Sequence, residues 1–396
     1  MQGASELARL GTVARVTLDK VTKTFHGPRG EVCLAVRDLS LTIEHRQLLV
    51  VLGPSGSGKT TLLRLIAGLE QPDTGIISFN GQPVNHLQPA DRDVAMVFQN
   101  QALYPHLTVA ENLALGLRLR RMPSSLVQQR IQEAAAWLGL TNLLHRRPGE
   151  LSGGQRQQVA LGRALVRRPR VFLLDEPLAH LDPCLRGQML VELRQLHHRL
   201  ETTMVMVTHD QSEAMRLGQQ VAVLHEGRLL QVASPEALYQ HPANLFVARF
   251  VGWPPMNLLR GTLQPHNGRL CMVLASESSA STDQAVVLPL PTEAGAALAD
   301  RCGQVTILGL RPEHIHLGIS QRAEPDRAWL SGRVEWLEPM GAETWVHFVA
   351  AGHPLVARLA GSQQPPSTGP IGLELDLRRA VYFDPASGQA LPSVAC

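Results

Sequence analysis

QLLVVLGPSGSGKTTLLRLIAGL, residues 47–69, decides the fold. Leu48–Leu52 is an apolar run of strand length, and TLLRLIAGL repeats apolar side chains at helical spacing, at Leu62, Leu63, Leu65, Ile66 and Leu69. Between them lies GPSGSGKT (53–60), so strand, glycine-rich loop and helix follow in the order a P-loop requires. Gly53, Gly56 and Gly58 are expected to turn backbone N–H groups inward, where side chains would block a phosphate. Pro54, Ser55 and Ser57 complete the loop. The helix that follows points its N-terminus at the anion. In that setting Lys59 is a point charge for the β- and γ-phosphates. Thr60 offers a hydroxyl to Mg²⁺, and Thr61 a second hydroxyl toward the α-phosphate.

RVFLLDEP (170–177) is a second apolar strand and ends in two acids. Asp175 is placed to hold Mg²⁺ and Glu176 to act as general base on water. Adjacent residues at a strand end point to opposite sides, so the two carboxylates should do different work. ELSGGQRQQVALGRALVRRP (150–169) carries a helical stripe at Val159, Ala160, Leu161, Ala164 and Leu165. Ser152 with Gln155 three residues on is a capping-box pattern, and Gly153 and Gly154 bare the backbone at that end. This predicts a second phosphate-seeking helix N-terminus. One domain has little use for two, so a second subunit is expected to supply the other phosphate.

The 396 residues predict two to three domains. Apolar residues are 44% and charged residues 18%, enough for packed cores and against a disordered chain. Thirty-seven basic against 34 acidic residues leave a net charge of +3, too little for a nucleic-acid footprint. No apolar run approaches a membrane span, and MQGASELARLGTVARV (1–16) has no apolar stretch of signal length. Cys33, Cys184, Cys271, Cys302 and Cys396 are scattered, which fits reduced cytosolic thiols and no zinc site. Strand and helix patterns alternate through the first 250 residues. Short β-like stretches between Pro and Gly turns follow: GRLCMVLA, AVVLPLP, QVTILGLRP, LSGRVEWLEP, AETWVHFV, HPLVARL and IGLELDL. They predict an all-β, OB-like barrel, with LASESSASTDQA (274–285) as a polar loop. Such a barrel can bind oligonucleotides, but it lacks a basic stripe interleaved with aromatics, so no nucleic-acid partner is expected.

Taken together, these segments resemble the ATP-binding cassette family over roughly residues 13–396. GPSGSGKT is similar to its Walker A motif, LSGGQ to its signature, and FLLDEP to its Walker B. MVFQNQALYPHLTV (96–109) is similar to its Q-loop, with Gln99 the matching glutamine. LAHLD (178–182) resembles the D-loop with Asp182, and VTHD (207–210) the switch loop with His209. The resemblance implies an α/β P-loop NTPase cassette with a helical signature subdomain, followed by an all-β OB-like (TOBE-type) C-terminal domain. The expected boundaries are 13–245 for the cassette, with its helical part near 100–168, and 246–396 for the β-domain. It implies a head-to-tail homodimer in which ATP lies between one P-loop and the partner's Ser152, Gly153, Gly154 and Gln155. Gln99 then senses Mg²⁺ and the attacking water, and His209 the γ-phosphate. VTKTF (21–25) resembles the segment carrying the adenine-stacking aromatic, here Phe25, for which a core position is the alternative.

Segments 91–117, 207–215 and 227–259 further resemble ATPases of bacterial importers of the carbohydrate-uptake type. LGLRPEHIHL (308–317) and VEWLEPMGAETWVHF (334–348) resemble their regulatory β-domain. The implied partners are two transmembrane permease subunits, an extracytoplasmic solute-binding protein and a second copy of the chain. The implied location is the cytoplasmic face of the bacterial inner membrane. LRRAVYFDPASGQAL (377–391) and LLHRRPGELSGGQ (143–155) resemble segments of sn-glycerol-3-phosphate importer ATPases, and the resemblance implies that solute or a sugar. Polyamine, iron and sulfate importers share the core and stay as alternatives. Soluble ABC ATPases of DNA repair or translation are a distant one, since there is one P-loop and no heptad run between Lys59 and Ser152. Regulator binding by the β-domain is compatible with the importer reading. The chain departs from the subfamily pattern at Ala179-His180, Gln101, Gln158 and Trp253. Gln101 is expected to tune permease docking, and Trp253 to pack the linker.

Overall fold

The computed structural model describes residues 13–27, 30–99, 103–179, 181–274, 286–318 and 326–392. Gln101, His180, Cys396 and positions 275–285 of the expected polar loop lie outside the described residues. The chain divides between Glu236 and Ala237 into two compact units.

The first unit holds ten strands: β1 (Val16–His26), β2 (Val32–Ile43), β3 (Leu48–Leu52), β4 (Thr74–Phe79), β5 (Gln82–Pro83), β6 (Val94–Val97), β7 (Val171–Asp175), β8 (Thr203–Thr208), β9 (Gln220–His225) and β10 (Arg228–Ala233). Four form an antiparallel sheet in the order β2-β1-β4-β5, and six a sheet in the order β10-β9-β3-β8-β7-β6. Within the second sheet β9, β3, β8, β7 and β6 are parallel, and only β10 is antiparallel to its neighbour. Strands β3 and β7 are buried at every position, which is why LLVVL and VFLLD read as unbroken apolar runs.

Helix α1 (Lys59–Ala67) buries Leu62, Leu63, Leu65 and Ile66 in the core between the sheets. It stops at Gly68, whose left-handed φ of 78° turns the chain away. Leu69, counted in the apolar stripe by spacing, therefore lies past the helix and is 46% exposed. Arg92 is buried and caps the same end, donating to the carbonyls of Leu65 (2.7 Å) and Ile66 (3.0 Å). Desolvation pulls its guanidinium down to about 10.

Between β6 and β7 three helices pack on one another: α2 (Val109–Leu119), α3 (Ser124–Trp137) and α4 (Gly153–Leu165). The α4 stripe is as spaced, with Val159, Ala160, Leu161, Ala164 and Leu165 all buried. Asn112 of α2 is buried and donates to the carbonyls of Tyr104, Leu107 and Thr108 while accepting from the Tyr104 amide, so it fastens the segment that follows Gln99. Helix α5 (Pro183–Leu200) follows Asp182, and α6 (Gln211–Leu217) follows Asp210.

The second unit carries a short helix, α7 (Leu245–Phe250), and two antiparallel five-stranded sheets among its described residues. Its strands are β11 (Asn257–His266), β12 (Arg269–Leu274), β13 (Val286–Pro289), β14 (Val305–Leu310), β15 (Ile315–Leu317), β16 (Arg327–Pro339), β17 (Glu343–Ala350), β18 (His353–Ala360), β19 (Gly369–Asp376) and β20 (Val381–Phe383). The sheet orders are β13-β12-β11-β14-β20 and β15-β19-β16-β17-β18. Alternate residues of both sheets, among them Leu259, Leu263, Leu308, Leu330, Val346 and Leu373, share one core. Asn257 bonds both main-chain groups of Val356, closing part of the edge that β18 would otherwise present. Arg311 donates to the carbonyls of Tyr239, Ala248 and Val251 with its guanidinium 4.0 Å from the Tyr239 ring centre, so the arginine of LGLRPEHIHL is a structural fastener. Trp253 was expected to pack the linker. Instead it is 73% exposed and meets Trp345 only edge to face, with ring centres 6.2 Å apart.

Candidate functional site

The site gathers at the C-terminal ends of β3, β7 and β8, where an open parallel sheet places its ligand crevice. GPSGSGKT is the turn from β3 into α1. Gly58 caps α1 at φ 101° without any side-chain hydrogen bond, and a Cβ there would sit 2.1 Å from the Ala35 carbonyl. Only glycine fits, and the first amides of α1 stay clear of any capping side chain of this residue. Gly53 is required for a different reason than phosphate approach: a Cβ there would meet the Leu224 carbonyl at 2.2 Å. Ser57 buries a hydroxyl that has no hydrogen-bond partner, a polar orphan within the loop.

Lys59 is buried, and its ammonium donates to the carbonyls of Gly53 (2.9 Å) and Pro54 (2.8 Å), which hold it inside the loop. Desolvation lowers its pKa against the opposing pull of Glu176 and Asp175. Thr60 donates its hydroxyl to Asp175 at 3.0 Å. Asp175 is 5% exposed, and burial pushes its carboxyl up despite the Thr60 hydrogen bond. These are hard oxygen donors side by side, the type Mg²⁺ accepts. Among the described residues no group of three or more His, Cys, Asp or Glu side chains is arranged for a metal. Two protein oxygens suit a cation that takes its other ligands from substrate phosphates and water.

Glu176 does separate from Asp175, but by a turn rather than by strand pleat. It has left β7, sits at φ 43°, and donates its amide to the Val207 carbonyl at 3.1 Å. A left-handed glutamate is a strained conformation of the kind kept at functional sites. Its carboxylate lies 3.2 Å from Nδ1 of His209, which follows β8. The structure thus brings Lys59, Thr60, Asp175, Glu176 and His209 into one cluster. Gln99 is exposed, two residues beyond β6, and the β6–β7 register sets that strand end beside Asp175. Phe25 on β1 is 36% exposed, with the Lys23 ammonium 5.3 Å from its ring centre, so it is not a core residue.

The signature segment starts a separate helix. Ser152 accepts from the Gln155 amide (3.3 Å), and Gln155 returns a carbonyl oxygen to the Ser152 amide (3.0 Å), a completed capping box. Gly154 packs where a Cβ would touch the Leu185 side chain at 3.4 Å. Asp182 caps α5, accepting from the amides of Cys184 (3.1 Å) and Leu185 (3.0 Å). Gln158 donates to Glu192 at 3.0 Å.

Sequence reading missed two polar groups near this cluster, one buried and one partly exposed. Glu213 is 3% exposed, takes the Thr208 hydroxyl at 2.6 Å, and is pushed up by desolvation. Arg186 bonds Asp210 at 3.1 Å. The available signal was Asp210-x-x-Glu213, an N-cap pattern like that at Ser152. Also missed was a groove of about 180 Å³ between the β6 end and the helices, lined by Phe98, Tyr104, Leu115, Leu119, Arg163 and Arg167. Phe98 (45%), Tyr104 (42%) and Leu119 (76%) stand exposed there.

Comparison with known proteins places this geometry. Residues 36–179 match the ABC transporter family model, 252–315 the MalK OB fold domain and 308–390 the TOBE domain. The chain is 44% identical over 379 residues to an sn-glycerol-3-phosphate import ATP-binding protein (UgpC) of Burkholderia pseudomallei strain 1710b, covering 95% of this chain and 99% of the relative. It is 42% identical over 384 residues to an uncharacterized ABC transporter ATP-binding protein, YurJ, of Bacillus subtilis strain 168, covering 96% and 100%. Among solved structures, the dimeric bacterial ABC transporter cassette MJ0796 matches with TM-score 0.50 and 31% identity, over 56% of this chain and 98% of that one. A structure of the same cassette in a post-hydrolysis state, bound to ADP and phosphate, matches equally.

Proposed function

The chain belongs to the ABC transporter family, and from that premise we propose that it is the ATP-hydrolysing, energy-coupling subunit of an importer for sn-glycerol 3-phosphate or a sugar. The named import relatives at 43–44% identity over nearly the whole chain support this, as do the MalK-type OB and TOBE regions. We assign the cassette to 13–245 and a regulatory β-domain to 246–396. Two copies work head to tail on two permease subunits, fed by an extracytoplasmic binding protein, at the cytoplasmic face of the inner membrane. Among the described residues no helix is long and apolar enough to cross a membrane, so the spanning parts are assigned to the permeases. The apolar side chains exposed at Phe98, Tyr104 and Leu119 offer a contact surface for a permease.

The observation that carries the reading is the pairing of Thr60–Asp175 with Glu176–His209 beside the glycine-rich loop. Phe25 stacks the adenine; the backbone N–H groups of the glycine-rich loop, Pro54 aside, and the Lys59 ammonium cradle the phosphates. Thr60 and Asp175, with Gln99, would hold Mg²⁺, which would supply neutralisation of phosphate charge. His209 orients the Glu176 carboxylate. Glu176 takes a proton from water as the new O–P bond forms and the bond to the β-phosphate oxygen breaks. Ser152, Gly153, Gly154 and Gln155 present the α4 N-terminus to the γ-phosphate held by the partner, with Asp182 between the sites. Closing the dimer on ATP then biases the permeases, and hydrolysis releases them.

The test is to purify the chain with its permeases in mild detergent and to screen solutes, with binding protein, for stimulated ATP hydrolysis. Stimulation by sn-glycerol 3-phosphate or a sugar is expected. Absence of any membrane partner, or stimulation only by a polyamine, iron or sulfate, overturns the respective part of the reading.

A further inference from the structure

The structure assigns Arg186 the part of a clip that makes the Leu181–Asp182 stretch and the His209 loop move as one piece. This rests on the ATPase reading above and deepens it. Arg186 lies one turn into α5, whose N-cap is Asp182. One terminal nitrogen donates back to the Leu181 carbonyl at 3.2 Å, inside the loop. The other donates to Oδ2 of Asp210 at 3.1 Å. Nε faces Oε1 of buried Glu213 at 3.8 Å and has no hydrogen bond of its own. One planar fork thus holds the loop backbone on one side and α6 on the other, a geometry lysine cannot copy.

The α6 side is itself tied to the chemistry. Asp210 splits its oxygens: Oδ1 caps α6 through the amides of Ser212 (2.7 Å) and Glu213 (3.3 Å), which leaves Oδ2 to Arg186. The Thr208 hydroxyl donates to Glu213 and accepts from the Asp210 amide at 3.0 Å. His209 sits between these two fixed residues, with Nδ1 3.2 Å from Glu176. A displacement of Leu181 and Asp182 is therefore passed through Arg186 and Asp210 to the imidazole that orients the Glu176 carboxylate. Arg186 touches neither nucleotide nor water in this scheme; it is a positioning residue. Its contribution is expected in turnover and not in nucleotide affinity.

The test measures ATP hydrolysis and nucleotide binding for the full-length chain and for Arg186→Gln, Arg186→Lys, Asp210→Asn and the Arg186→Gln/Asp210→Asn double variant, with Glu176→Gln as reference. Misplacing a catalytic group by about 1 Å lowers rates up to about 100-fold, so kcat of Arg186→Gln should fall about 10- to 100-fold with KM within twofold. Arg186→Lys should recover part of the loss while melting with the parent, which separates positioning from folding. The double variant should be little worse than Arg186→Gln, because the two residues form one contact. The proposal is overturned if kcat of Arg186→Gln stays within twofold of the parent, if KM alone changes, or if the two single losses multiply. Failure of the ATPase reading looks different: the parent would not hydrolyse ATP, or Glu176→Gln would turn over normally.

Discussion

The acids at the phosphate site and the acids of the β unit are treated oppositely by their surroundings. Asp175 and Glu213 are buried, and desolvation pushes both carboxyls up; Lys59 beside Asp175 is pushed down for the same reason. In the β unit, Glu343, Asp376 and Asp384 are held below the usual carboxylate range by hydrogen bonds to Trp345, Arg378 and Ser387 respectively. In the first region ionised groups are kept where they are uncomfortable, next to a left-handed Glu176. In the second they sit where their charge is solvated by neighbours. The first arrangement weakens the fold where the site lies; the second supports the fold. That contrast separates a region shaped for chemistry from one shaped for stability.

The contrast breaks most visibly at Glu176. Glu176→Gln keeps size and a hydrogen bond toward His209 but removes the base. Hydrolysis should fall by ~10²–10⁴-fold with nucleotide binding retained, read by phosphate release and by titration with a fluorescent nucleotide. Near-normal turnover would remove Glu176 from the mechanism. Asp175→Asn comes next and should move activity and stability in opposite directions. Mg²⁺-dependent hydrolysis should drop at least ~10- to 100-fold, the range for perturbing a metal's ligand environment. Without nucleotide the variant should be more stable by about 0.5–2 kcal/mol, as for other relieved active-site strain. The sign with pH is fixed by the raised carboxyl. Below the ordinary value of 3.8 the parent's Asp175 is neutral and the variant gains nothing; its advantage appears as pH rises through the raised value. A variant that melts lower than the parent at neutral pH would refute the strain argument.

What was legible in sequence follows the same divide. The glycine-rich turn, the capping box at Ser152 and the alternating β stretches announce themselves because local backbone rules write them. All seven β stretches fall on strands β12, β13, β14, β16, β17, β18 and β19. The middle strand β11 was hidden: it begins with Asn257 and carries Pro265, and it continues a segment that reads as linker. Strands β15 and β20, three residues each, are too short for periodicity to register. Leu69 satisfied helical spacing, but Gly68 ends the helix first. Asp210-x-x-Glu213 announced a helix start, but the contact of Arg186 with Asp210 and Glu213 depends on α5 meeting α6, and no spacing rule encodes that. Asp175 and Glu176 were legible as a pair, yet the reason they diverge, a turn held by the Val207 carbonyl, is tertiary.

Asp384 supplies the counterpart to Asp175 and the smallest effect. It follows β20, takes the amide (2.8 Å) and hydroxyl (2.7 Å) of Ser387 on one oxygen, and meets Arg301 at 3.0 Å with the other. Those contacts hold its carboxyl at about 2, first through Ser387 and then Arg301. A depressed folded value means the stabilisation is complete above the ordinary 3.8 and is lost as pH falls toward 2. Asp384→Asn keeps the Ser387 acceptor but turns an amide N–H₂ toward Arg301. Because its partner Arg301 is partly exposed and water screens the pair, the loss at neutral pH should be only about 1–2 °C in melting temperature. Trp253, Trp329, Trp336 and Trp345 lie in the β unit against Trp137 alone in the other, so tryptophan fluorescence reports this unit's unfolding in the full chain. The gap between parent and variant should be constant from pH 8 to 5 and shrink below about 4, the reverse of the pH dependence at Asp175→Asn. If both variants shifted in the same direction with pH, the two regions would not differ in how they treat carboxylate charge, and the distinction drawn between them would fail.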